Sequence, residues 1–157
     1  MTDLTFAWSG TAPSDILGKT FTKISVVQAV NANPLEVIIW MPSDTGLRIR
    51  SRMHDIAERK EVGVLEFSQV RQSDWSSYLE TVELAQEFQD RVRFDKLVLE
   101  SEGMRIECGL ALGGSKGGRL VIVPSDYPGA LAIDGADLRF RFGPEYPLGQ
   151  YEEVPLC

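Results

Sequence analysis

Between Ser73 and Val92 lies the one stretch of this chain with the spacing of a long helix, and it constrains every other element. Apolar residues recur there at Trp75, Tyr78, Leu79, Val82, Ala85, Phe88 and Val92. Gaps of three and four residues follow the period of about 3.6 that gathers side chains on one helical face. Ser73 and Asp74 are residue types that cap a first turn, because a short side-chain oxygen accepts from an otherwise unpaired N–H. Arg91 and Arg93 suit the negative end of a helix dipole, and neither Gly nor Pro interrupts the run. The spacing predicts a helix over 73–92. Glu80, Glu83, Glu87 and Asp90 would then form one acidic stripe away from the apolar side. Such a stripe is either a solvated outer face or a docking surface for a cationic partner.

The flanking sequence reads as strands and turns. Residues 22–30 are rich in β-branched side chains, which favour a pleated surface. Residues 35–41 are almost wholly apolar, as in a central strand covered on both faces. Along 47–55, Leu47, Ile49 and Met53 alternate with Arg48, Arg50, Arg52 and His54, because successive side chains leave a strand on opposite sides. Shorter strands are expected at 4–8, 63–70, 96–100, 104–112, 120–123 and 130–133, and 138–142 alternates as well. From about Gly143 the prolines Pro144, Pro147 and Pro155 imply an irregular tail. Val37-Ile38-Ile39, Gly46–Ile49 and Gly63–Phe67 are echoed by Leu97-Val98-Leu99, Gly103–Ile106 and Arg119–Val123. The echo suggests two antiparallel meanders forming halves of one curved sheet. With one helix in view, parallel βαβ units are disfavoured, since each needs its own crossover. The expected fold is α+β: a curved, mainly antiparallel sheet of about six to eight strands, with the 73–92 helix packed on it. Residues 1–157 are expected to form one domain.

A formal net charge of −7 works against nucleic-acid binding, which needs a cationic surface, and is compatible with a basic protein partner. Cys108 and Cys157 form no disulfide framework, which points to a reducing compartment. Met1-Thr2-Asp3-Leu4 lacks a basic leader, and no apolar run approaches the ~20 residues of a membrane span. A cytoplasmic protein without membrane contact is expected.

Few residues invite a chemical reading. Gly113-Gly114-Ser115-Lys116-Gly117-Gly118 lacks Walker spacing and has no helix behind it, so a hairpin turn fits better than a phosphate loop. His54 is the only histidine. Its arginine-rich neighbourhood opposes the imidazolium that a nucleophile–histidine mechanism forms. Neither cysteine sits in a nucleophile motif or has zinc-ligand spacing with His54. No catalytic residue, metal or cofactor is expected. Arg48, Arg50 and Arg52 share one strand face, where they can bind a carboxylate, a phosphate or an acidic partner. Equally, they can pair across strands with residues such as Glu36 or Glu66. Trp8, Trp40 and Trp75 suit core anchors. The tail Tyr146–Tyr151 carries exposed-looking aromatics that can wrap the domain or mediate self-association.

At the level of type, a small acidic chain of this fold class without a catalytic motif resembles bacterial immunity proteins, which cover the active site of a toxin. The resemblance implies a non-enzymatic inhibitor whose stripe at Glu80, Glu83, Glu87 and Asp90 meets a basic partner. Two other readings stand beside it. One is an anion- or small-molecule-binding protein or enzyme built on Arg48, Arg50 and Arg52. The other is an assembly subunit, homo-oligomeric through a sheet edge or the C-terminal tail.

Overall fold

The computed structural model describes residues 3–75, 77–90 and 92–156. Met1, Thr2, Arg91 and Cys157, invoked above, lie outside them. The described chain forms β1 (Ala7–Ser9), β2 (Lys23–Val30), β3 (Asn33–Trp40), β4 (Thr45–Ala57), β5 (Lys60–Arg71), β6 (Glu80–Glu83), β7 (Arg93–Ser101), β8 (Met104–Gly113), β9 (Arg119–Pro124), β10 (Leu131–Asp134) and β11 (Glu152–Pro155). They build two sheets, one ordered β1-β5-β4-β3-β2-β6 and one ordered β10-β9-β8-β7-β11. Every pairing between these strands is antiparallel except β1 with β5.

The expected α+β fold with a helix over 73–92 is overturned. Among the described residues the helical turns have three residues each, at Gln72–Asp74 and Gln86–Phe88 within this stretch. Its centre is the strand β6, which closes the free edge of β2 from Lys23↔Glu83 to Val26↔Glu80. Helices in proteins owe most of their stability to packing of an apolar face rather than to spacing or propensity, whereas β2 offers a row of unpaired backbone groups. Leu79 N–H donates to the Val26 carbonyl and Leu84 N–H to the Thr22 carbonyl, extending the ladder at both ends.

The echo between the two halves is real, but it marks two sheets rather than halves of one. The first meander is β3-β4-β5 and the second is β7-β8-β9. One apolar core joins them, with Val37, Ile39, Ile49 and Phe67 from the first and Leu97, Ile106, Leu110 and Ile122 from the second. Between meanders, β5 approaches β8 and β9, and β3 approaches β10. The N-terminal segment ties the sheets together. Leu4 exchanges backbone hydrogen bonds with Arg105 and Glu107 beside β8, and β1 then pairs with β5. Residues 138–142 form no strand. There Arg141 N–H donates to the Ala32 carbonyl, and its guanidinium forks onto Asp126 at 2.6 and 2.7 Å.

Candidate functional site

The six-stranded sheet turns one face to the core and the other outward. Strand alternation puts Arg48, Arg50 and Arg52 on the outward face. Between β5 and β6, Trp75 and Tyr78 cover part of that face. Trp75 lies over the Arg48 guanidinium, 5.4 Å from ring to charge. Tyr78 meets Trp40 edge-on at 6.0 Å. Beneath it, Trp40 Nε1 donates to Ser25 Oγ at 2.9 Å, and Ser25 Oγ shares a hydrogen bond with Thr81 Oγ1 at 2.9 Å. Trp40 can lie flat because its cross-strand neighbour is Gly46, where a Cβ would come within 2.6 Å of the indole.

The uncovered part of this face is polar. Glu36 on β3, Arg50 on β4 and Glu66 on β5 stand directly opposite one another in register. Glu36 is largely buried and receives Arg48 Nε. Arg52 approaches Glu66 at 3.7 Å. Arg50 is exposed and, among the described residues, its side chain makes neither an ion pair nor a hydrogen bond. It stands between two open recesses. One of about 490 Å³ is bounded by Gln28, Glu36, Arg50, Arg52 and Glu66, and one of about 210 Å³ by Ser9, Arg48, Arg50, Glu66 and Ser68. Three arginines against two glutamates leave one surplus positive charge here, on a chain of net charge −7. Of the two outcomes weighed for the arginine row, the structure shows cross-strand pairing, of Arg48 with Glu36 and of Arg52 with Glu66. Two arginines pair across strands and the middle one stays free. His54 on β4, opposite Val62 on β5, bounds neither recess.

The acidic residues do not form a helical stripe. Glu80 and Glu83 leave β6 on opposite sides, because they are an odd number of residues apart on a strand. Glu80 accepts from Arg139 N–H. Glu87 receives Gly118 N–H inside the Gly-rich turn, and Asp90 is an exposed turn residue. The same contact disposes of a phosphate loop. The turn between β8 and β9 already holds a carboxylate, and a Cβ at Gly114 or Gly118 would collide with it.

A half-buried polar cluster escaped sequence reading because its members are far apart in the chain. Glu145 Oε1, in the tail, accepts from Gly63 N–H at 3.1 Å. Burial, with Glu61 nearby, raises the Glu145 pKa above the ordinary carboxylate value. Burial and the Glu145 charge push the Cys108 thiol up, and burial pushes up Tyr151. A fully buried, protonated thiol is not a nucleophile. The tail aromatics are correspondingly less exposed than their sequence suggests: Tyr151 is buried and packs edge-on against the half-buried Tyr146.

The sign of the Glu145 effect follows from linkage. The folded-state pKa exceeds the unfolded one, so the folded chain binds the extra proton between the two values. Stability then falls as pH rises through that window. Glu145→Gln keeps an oxygen for Gly63 N–H and removes the partly buried charge. It is expected to be more stable than the wild type at pH 7, with the difference shrinking as pH falls toward 4.5. Urea denaturation across that range checks this, and a difference independent of pH would contradict it.

No group of three or more His, Cys, Asp or Glu side chains able to hold a metal occurs among the described residues. None of their helices is long and apolar enough to cross a membrane. No protein-family model, curated protein or solved structure matches the chain.

Proposed function

We propose that this is a non-enzymatic binding domain that holds the anionic group of a ligand at Arg50, on the open face of its six-stranded sheet. The observation that carries the reading is that the Arg50 side chain makes no ion pair among the described residues, while Arg48 and Arg52 each make one with a glutamate. A guanidinium presents its donors as a planar fork that suits carboxylate and phosphate oxygens. A charge-assisted hydrogen bond of this kind contributes about 1.5–3 kcal/mol. Arg50→Gln is therefore expected to weaken binding of acetate or inorganic phosphate about tenfold or more, followed by amide NMR shifts of β3, β4 and β5. Shifts that persist undiminished in the variant would remove Arg50 from the site. The immunity-type reading loses its proposed docking surface with the helix, and net charge alone speaks for a basic partner.

A further inference from the structure

We infer that the ligand of this recess is zwitterionic, with the chemistry of a free α-amino acid: a carboxylate for Arg50 and an ammonium for Glu66. The inference rests on Arg50 being an anion site. It starts from a pair of opposite charges that do not meet. Arg50 and Glu66 are direct cross-strand neighbours, close enough for their long side chains to touch, and both border both recesses. Yet no ion pair joins them. The Glu66 carboxylate accepts no hydrogen bond among the described residues, and the one cation within ion-pair distance of it there, Arg52, is 3.7 Å away. Glu36 is different. It is spent on Arg48 and only 7% exposed, whereas the Glu66 side chain is 26% exposed and reachable.

This arrangement selects by charge. A simple anion on Arg50 meets repulsion from Glu66, and a simple cation on Glu66 meets repulsion from Arg50 and Arg52. A ligand carrying both charges on neighbouring atoms satisfies both side chains and suffers neither penalty, which is specificity by built-in repulsion. The larger recess, at about 490 Å³, has room for a molecule of this size.

The test uses the full-length protein and three matched compounds: glutamine, N-acetylglutamine, which keeps only the carboxylate, and glutamine amide of the α-carboxyl, which keeps only the ammonium. Amide NMR titrations are expected to show glutamine binding about tenfold more tightly than either. In Glu66→Gln the advantage of glutamine over N-acetylglutamine should vanish, and in Arg50→Gln binding of both should be lost. Both substitutions lie on the open face, and the spectra report whether the fold persists. N-acetylglutamine matching glutamine in the wild type would overturn the zwitterion while leaving the Arg50 anion site standing. Tightest binding by the α-amide would also overturn it. Absence of any Arg50-dependent binding would overturn both.

Discussion

Phe67→Ala is expected to lower the unfolding free energy by about 3–5 kcal/mol, the cost of removing a buried ring and leaving a cavity. Phe67 is 1% exposed at the centre of the core. Its ring meets Phe6 edge-on at 4.9 Å and stacks on Trp8 at 4.5 Å. Those two partners belong to the N-terminal segment that ties the sheets together. The lost ring therefore loosens β1 as well as the core. Domains have about 5–15 kcal/mol of stability in total, so the variant should unfold at a much lower denaturant midpoint. Guanidinium denaturation followed by tryptophan fluorescence checks this, with Trp8 reporting directly on the site. Phe67→Leu, which keeps most of the volume, should cost under about 1.5 kcal/mol. A loss below about 1 kcal/mol for the alanine variant would mean that Phe67 does not join the two sheets as described.

Which parts of this molecule could be read from sequence follows from how locally each signal is encoded. Alternation at 47–55 and the apolar run at 35–41 marked β4 and β3, because a strand's two faces are written into neighbouring residues. Val37, Ile38, Ile39 and Trp40 are all buried, as expected of a strand covered on both faces. The helical spacing at 73–92 misled for a specific reason. Its apolar residues serve two different surfaces. Trp75 and Tyr78 cover the outer face of the sheet, while Val82 and Phe88 pack with the core on the other side, and Leu79 is 61% exposed. Periodicity counts apolar residues without knowing what they pack against, and an open strand edge overrode it. At the candidate site, alternation put three arginines on one face. Which of them stays free depends on the register of Glu36 and Glu66 from two other strands. The contact between Glu145 and Gly63, 82 residues apart, has no local signature at all.

The segment between β5 and β6 gives the second large effect. Trp40→Ala is expected to cost about 3–5 kcal/mol through loss of a buried aromatic, and its consequences should be visible away from Trp40 itself. The indole is 1% exposed, yet it lies outside the main core cluster and packs edge-on against Tyr78. Without it, Tyr78 loses its edge-on partner, and Ser25 Oγ loses its indole donor while keeping Thr81 on β6. Limited proteolysis should therefore cleave within 72–79 faster than in the wild type, even under conditions where the variant remains folded. Trp40→Phe separates the two contributions. It keeps most of the apolar burial and gives up the hydrogen bond, a difference of about 0.5–1.5 kcal/mol. Its proteolysis should stay close to that of the wild type. If the alanine variant were cut no faster in this segment, Trp40 would not anchor it. If the phenylalanine variant were cut as fast as the alanine one, the hydrogen bond from the indole to Ser25, rather than the buried ring, would be what holds this segment on the sheet.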